Sequence, residues 1–472
     1  MQNMYVGEES LGQQIFGAAE LGDQRRTQRL VKVFDQCCQH PGGTLPDKMG
    51  SPPDLKALYR LCEKKQVTHE SVLRPAREHT LQRMAEQEGT FLILHDGTEL
   101  DYTSLESLAG ELGQIGDGHG RGYECHNSLA VHVQTREVLG LVGQILHHRV
   151  EAPDDETLPE HRDRETRESL LWLHGTQHLP RDWRLVDVCD QGADTFEFLE
   201  HEVHSGRRFV MRAKHSRKIF AGHEARGSDA PGYELKPYAR SLPVLGTRTI
   251  DIQAQKGSNK RKARKGAQFS VRSAPILVRR PHAKYGHHGN DPLPMWIVCV
   301  REENPPRGEK PIEWMLLTNE PVHTLEDALR VIDWYRARWM IEEFHKAMKT
   351  GCQIEDMQFT TTSRLEPAIA LLSVVATTLL NLREASRQPD ATTRLATTLF
   401  AQEYIEVLTA WRFKEIRTDL TVHEFFFALA RLGGHQNRKH DHHPGWLVLW
   451  RGWMKLQAML EGYLAVLRTK CG

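Results

Sequence analysis

The spacing of apolar residues along the chain changes twice, and each change predicts a change of architecture. Up to about residue 80 apolar positions recur at helical spacing. Leu21-Gly-Asp-Gln-Arg-Arg-Thr-Gln-Arg29 leads into one amphipathic segment, and Ser51-Pro-Pro-Asp54 opens another, a serine cap with proline in the first turn. From Phe91-Leu-Ile-Leu94 onward the runs shorten to strand length, and this run delivers His95-Asp96-Gly97 at its end. Gly118–His126 predicts a loop, Ser128–Val133 and Leu139–Leu146 a pair of strands, and the acidic stretch near 156–174 a helix. Trp183-Arg-Leu-Val-Asp-Val-Cys-Asp190 repeats the pattern of an apolar strand ending in an acid, and Asp194 just after it suits a helix N-cap or first turn. In Arg208–His215, Arg212 and Lys214 alternate with apolar neighbours and so share a strand face. Further strands are predicted at 248–254, 269–278, 295–300 and 313–317, with long polar connections between them.

The rhythm then returns to helical. Thr324-Leu-Glu-Asp327 is a capping sequence, and no Gly or Pro interrupts the chain from there to Gly351, so Tyr335–Lys349 is predicted as one long helix. Tyr335, Arg338, Glu342, His345 and Lys349 recur at steps of three or four and share a face. Trp334, Trp339, Ile341 and Phe344 cover other sides, which suits a helix packed in a core with its polar stripe toward a cleft; a solvated helix laced with ion pairs is the plainer reading. Pro367–Arg383 reads as a buried core helix, its sixteen-residue charge-free stretch being short and polar for a bilayer span. Trp446, Trp450 and Trp453 fall near one stripe of a terminal helix, as a core or a protein interface would need.

Composition narrows the picture. A chain of 472 residues suggests two to four domains, and 62 basic against 62 acidic residues give no global advertisement for nucleic acid. The charge is unevenly placed: residues 253–290 hold ten Lys/Arg and no acid, whereas 151–168 hold eight acids and three arginines. The basic loop Asn259–Lys265 within the first of these suits either phosphate tracking or solubility. Eight cysteines without a C-x-x-C pair, and an N-terminus without a basic start and apolar run, lead us to expect reduced thiols in a cytoplasmic protein. His435, His440, His442 and His443 lack the cysteines and the strand-helix frame of a structural zinc site.

The spacing Y-x2-R-x3-E-x6-K from Tyr335 to Lys349 resembles the signature helix of the DDE transposases of the IS-four family, the Tn-five-like bacterial enzymes. LGDxRRTxRL near residue 21 is similar to the end-binding domain of the same family, and the LARLGG tail to its C-terminal part. The resemblance implies a mixed α/β fold. An RNase H-like core at about 81–385, with a β-rich insertion at about 218–322, would be flanked by a helical DNA-end-binding domain (1–80) and a helical dimerisation domain (386–472). It implies that Asp96, Asp190 and Glu342 are catalytic and hold two Mg²⁺ ions, with Mn²⁺ as substitute. Helical rotation allows only one of Glu342 and Glu343 to face them. It also implies that Arg26, Arg29, Arg212, Lys214, Trp314, Tyr335, Arg338, Lys346 and Lys349 contact DNA. The implied activity is cut-and-paste transposition of an insertion sequence by strand cleavage, hairpin formation and strand transfer. Its partners would be transposon ends, target DNA and a second copy of the chain; the location would be cytoplasmic, at the bacterial nucleoid. The local departures are Gln191-Gly192 after the second Asp and His40 where an aromatic contact is expected. A catalytically silent DNA-binding relative, acting as an inhibitor or regulator, is the alternative from another class.

Overall fold

A computed structural model describes residues 9–150, 153, 155–224, 232–252, 262–281, 288–289, 291–438 and 443–470. It is a mixed α/β protein of two compact units. A helix-rich unit runs to Gly89 and takes up the chain again at Gly97–Arg149 and from Ile341 onward; a sheet unit holds Thr90–Asp96 and Val150–Met340. In chain order the strands are β1 (Phe91–Asp101), β2 (Gly113–Ile115), β3 (Gly120–His132), β4 (Val138–His147), β5 (Leu185–Cys189) and β6 (Arg208–Arg212). They continue with β7 (Lys218–Ala221), β8 (Tyr233–Glu234), β9 (Gly246–Ile252), β10 (Arg264–Val278), β11 (Leu293–Glu302) and β12 (Glu313–Thr318).

The sheet unit is ordered β1-β5-β6-β12-β11-β10-β7-β8, with β9 also on β10. β1, β5 and β6 are parallel, and β12, β11 and β10 follow antiparallel. Phe91, Leu92, Ile93 and Leu94 are all inaccessible, as are Val186, Val188 and Cys189, which is why these strands read as continuous apolar runs. The four strands predicted between 248 and 317 form, and they extend the sheet that carries β5 and β6. A core of Phe196, Phe198, Leu199, Phe209, Met211, Met295, Ile297 and Leu317 packs against it.

The helix-rich unit places helices Gln24–Gln39, Pro52–Cys62 and His69–Ala85 in the first 89 residues, the last two capped by Ser51 and Thr68. Around Thr362–Ala385 pack the His69–Ala85 helix and β4. This helix is long and apolar enough to cross a membrane by length and composition, but 82% of its apolar window is buried inside the fold. Trp446 and Trp453 are buried; Trp446 stacks on Trp450 and Trp453 on Tyr404, and Phe400, Phe425 and Phe426 complete the cluster. The tryptophans are therefore core. The exposed apolar residues of the Trp446–Lys470 helix include Leu447 and, further on, Tyr463, Val466 and Leu467.

Several local expectations are corrected. The segment 118–126 is largely strand, because β3 begins at Gly120 and pairs with β2 and β4. The acidic stretch is broken into Leu158–Asp163, a single turn at Glu168–Leu170, and Leu171–Gln177. The predicted long helix at 335–349 is also broken. Leu325–Arg336 ends in a turn where Ala337 and Arg338 donate to carbonyls only three residues back; Trp339–Lys346 follows, and Ala347–Gly351 is a wider π-type turn. Part of the basic loop (259–261), together with His440 and His442, lies outside the described residues. His435 and His443 pack their rings on Phe427.

Candidate active site

The parallel register fixes the first two acids. His95 pairs with Cys189, and Cys189 with Met211, so the next residue on each strand, Asp96, Asp190 and Arg212, stands level across three neighbouring strands. Adjacent strands lie about 4.8 Å apart, which makes Asp96 and Asp190 neighbours. Asp96 is not the turn aspartate that D-G suggests: β1 continues through Gly97 to Asp101, and only the β1–β5 ladder stops before it. Asp190 leaves β5 into a short 3₁₀ turn at Gln191–Ala193, and its Oδ1 accepts the Gly192 N–H at 2.8 Å. Asp190 thus caps this turn, and Thr195 caps the helix that follows it, Phe196–Ser205. Asp194 is not the N-cap of that helix. Buried, it accepts the backbone N–H groups of Lys214 (2.7 Å) and His215 (2.8 Å) and a bond from Arg217, tying the end of β6 to the turn after β5.

Positive charge gathers at the same strand ends. Arg338 Nη1 lies 2.9 Å from Asp96 Oδ2, both side chains being partly accessible. Arg212 donates to the Glu313 carbonyl at 3.3 Å. Tyr335 is buried, with its ring 5.3 Å from that of Trp314 in an edge-to-face contact. Burial raises the phenol's pKa, an effect partly offset by the charges of Arg338 and Arg212 and a hydrogen bond to Arg212. Asp96, Asp190, Arg212, Trp314, Tyr335 and Arg338 are thus brought together in the sheet unit. Two carboxylates beside two guanidiniums can hold a cation and an anion side by side, as phosphoryl chemistry requires.

The other candidates lie elsewhere in the fold. Glu342 is exposed on the Trp339–Lys346 helix, where the chain passes into the helix-rich unit. Its neighbour Glu343 is engaged structurally, accepting from Arg383 at 2.8 Å and Lys346 at 2.7 Å. Lys346 is exposed, and Lys349 pairs with Glu355 at 3.0 Å. Lys214 is exposed at the end of β6. In the Gln24–Gln39 helix, Arg29 pairs with Asp54 at 3.0 Å, while Arg26 donates to the Leu21 carbonyl and to Gln66. Trp339, expected on a packed side, is 43% exposed.

One feature escaped the sequence reading. Asp187, inaccessible in the middle of β5, accepts from His95 Nε2 at 2.9 Å and from Arg207 Nε at 2.8 Å, with buried Glu202 nearby. The signal was present: an acid flanked by Val186 and Val188 in a buried strand must find a partner.

Two family models match the chain, one described as transposase DNA-binding over residues 9–67 and the other as transposase DDE domain over residues 177–379. These two segments are similar to transposase domains of those two kinds. The matches support a DDE transposase, an enzyme that cleaves and transfers DNA. Arg26 and Arg29 fall within the transposase DNA-binding match; Asp190 and Glu342 fall within the DDE match, and Asp96 precedes it. Domains of the DDE class generally use divalent metals, and carboxylate oxygens are the donors such ions prefer. Among the described residues no group of three or more His, Cys, Asp or Glu side chains is gathered to hold one. Around Asp96 the donor chemistry still fits: Arg338 already supplies a positive counter-charge there, the place a cation would take.

Proposed function

We propose that this chain catalyses cut-and-paste transposition of an insertion sequence as a Tn-five-like enzyme of the IS-four family, with an RNase H-like core at about 81–385 between an end-binding domain (1–80) and a dimerisation domain (386–472). The observation that carries the reading is the level placement of Asp96, Asp190 and Arg212 on three parallel strands, with Arg338 against Asp96, in a chain whose other matched segment is a transposase DNA-binding domain.

Asp96, Asp190 and Glu342 are its catalytic acids and would hold Mg²⁺ or Mn²⁺. Two such ions supply activation of an attacking oxygen and neutralisation of the leaving one. Glu342 is preferred to Glu343 because the Y-x2-R-x3-E-x6-K spacing falls on it; Glu343 accepts from Arg383 and Lys346. Arg212, Lys214 and Arg338 bind phosphates near the cut, with Lys346 and Lys349 along the strand. Trp314, packed on Tyr335, offers an aromatic face to a displaced base. Arg26 and Arg29 read the transposon end, and Arg29 exchanges Asp54 for DNA when it does so. Cleavage proceeds through a hairpin in a synaptic homodimer at the bacterial nucleoid, in the cytoplasm. The exposed Tyr463, Val466 and Leu467, rather than the buried tryptophans, serve the pairing of copies.

The test is purified protein with Mg²⁺ and a supercoiled plasmid bearing the coding segment and its flanking DNA. Excision with hairpin ends is expected; end binding without any cleavage would favour the silent regulatory relative.

A further inference from the structure

The helix that carries Glu342 is short and poorly held by its own backbone. Trp339–Lys346 has eight residues, the three-residue hydrogen bonds at Ala337 and Arg338 precede it, and the π-type turn at Ala347–Gly351 follows it. Rotation of such a helix by 20° would move a carboxylate near its rim by about 2 Å. A misplacement of that size is enough to cost a catalytic group most of its effect. Side chains must therefore set the rotation, and two polar contacts do so in the helix-rich unit: the part-buried pair of Glu343 with Arg383, and the buried one of His345 with Asn127.

The second contact ends a chain of hydrogen bonds whose direction is forced. Ser373 Oγ donates to the Ile369 carbonyl and so accepts from Gln144 Nε2 at 2.9 Å. That orients the Gln144 amide, whose Nε2 also donates to Asn127 Oδ1 at 2.8 Å and whose Oε1 accepts from His69 Nε2 at 3.0 Å. Asn127 is oriented independently. Its Nδ2 donates to the Cys125 carbonyl, which can only accept, and its Oδ1 takes the Cys125 thiol, which burial keeps protonated. The remaining Asn127 Nδ2 proton points to His345 Nε2 at 3.2 Å, and that nitrogen must present a lone pair. Turning either amide over would set donor against donor and carbonyl against carbonyl inside the fold, where unmade hydrogen bonds are costly.

We propose that His345 is a positioning residue for Glu342, held in one orientation by this one-way relay from His69 through Gln144 and Asn127. The relay starts at the first residue of the His69–Ala85 helix, two residues beyond the segment matched as DNA-binding, and ends one helical turn from Glu342. The proposal rests on the reading of Glu342 as a catalytic acid.

The experiment compares His345→Gln, whose Oε1 reaches the place of Nε2 and accepts from Asn127, with His345→Asn, which is one methylene too short. Asn127→Ser removes the donor and leaves the histidine. For H345N and N127S, cleavage of the plasmid substrate is expected to fall ~10–100-fold, the usual cost of removing a group that orients a ligand. Binding to a flanking-DNA fragment should stay within about twofold, and hydrogen exchange over residues 339–346 should quicken. H345Q should match the wild type in all three. The proposal is overturned if H345N and N127S melt normally and cleave at the wild-type rate, or if a folded H345Q cleaves as poorly as H345N. Where H345N and N127S do not fold, H345Q alone decides: a loss above tenfold with a normal melt overturns the proposal, and full activity supports it. Wild-type protein that does not cleave the plasmid at all would instead remove the reading of Glu342 beneath it.

Discussion

Two carboxylate–guanidinium pairs have their acids on the adjacent strands β5 and β1, three register positions apart, and they differ in almost everything else. Asp187 meets Arg207 and His95 where Asp187 and His95 are wholly inaccessible, while Asp96 meets Arg338 just past the end of the β1–β5 ladder, where the two side chains keep 16% and 19% of their surface in water. At Asp187 burial raises the carboxyl's pKa, but Arg207 and His95 outweigh it and hold the group below the usual carboxylate range. A pair so enclosed cannot exchange its partner without leaving an unpaired charge in a medium that penalises it by several kcal/mol. The pair at Asp96 can exchange, since water and ions reach it. Burial therefore separates a strut from a site in residues of identical chemistry.

The largest effect expected on the open side is catalytic. Asp96→Ala, Asp190→Ala and Glu342→Ala should each reduce plasmid cleavage by ~10³-fold or more, the scale on which preorganised charge acts at a reacting phosphate, while end binding and melting temperature change little. Gel-shift and cleavage assays on the same preparations would check this. A Glu342→Ala enzyme that cleaves normally would transfer the role to Glu343. On the closed side Asp187→Ala should cost ~3–5 kcal/mol of stability, because Arg207 and His95 lose their counter-charge in the interior; denaturant titration reads it directly.

Glu202 sharpens the contrast through pH. Burial first, and the Asp187 charge second, push its carboxyl well above the ordinary value of 4.5, so the folded protein keeps a proton that the unfolded chain has released. Stability on this account is fully present below pH 4.5 and declines as pH rises from there toward the folded value. Glu202→Gln removes that decline. The difference in unfolding free energy between variant and wild type should grow in the variant's favour from pH 4.5 to neutrality, and a flat difference would show that Glu202 is ionised in the fold.

How far these pairs could be foreseen follows from the same distinction. Asp96 and Asp190 stood out because an apolar strand ending in an acid leaves a local trace, and the transposase-like spacing around Glu342 did the same on a helix. The helices between Leu11 and Ala85 and the strands between 246 and 318 are legible for a similar reason, each resting on its own periodicity. Asp187 was not singled out, since its partners come from His95 and Arg207, 92 and 20 residues away. The break at Ala337–Arg338 left no trace either. No Gly or Pro marks it, and the sequence continues to suit a helix; the burial of Tyr335 against Trp314 is a tertiary contact that propensity does not contain. The tryptophans of the last helix read equally as core or interface until Tyr404 and Phe400 were seen stacked and packed on Trp453.

The DNA-binding segment supplies an intermediate case. Substituting Arg26 or Arg29 by alanine should weaken binding to the cognate end by ~1–3 kcal/mol if the contact is to a base edge, with less effect on random DNA; equal losses on both would make them phosphate contacts.

The smallest effect should come from Asp54, and it tests whether exposure alone makes an ion pair exchangeable. Its carboxylate lies 3.0 Å from Arg29 and 2.6 Å from Lys32, with both cations more than a third exposed. The hydrogen bond from Lys32, with further ones from Ser51 and Gln36, lowers its pKa to about 2, so its contribution to stability is present above the ordinary value of 3.8 and is lost as pH falls toward 2. At neutral pH Asp54→Asn should lower stability by no more than about 1 kcal/mol, the usual worth of such accessible pairs. It should also release two cations in the segment matched as transposase DNA-binding. Affinity for random DNA should then rise a few-fold and depend more steeply on salt, because each freed cation can neutralise a further phosphate. Discrimination between cognate and random DNA should fall accordingly. Filter binding across a salt series would show it; a D54N protein with unchanged affinity, salt dependence and discrimination would mean that neither Arg29 nor Lys32 reaches DNA once Asp54 no longer holds it.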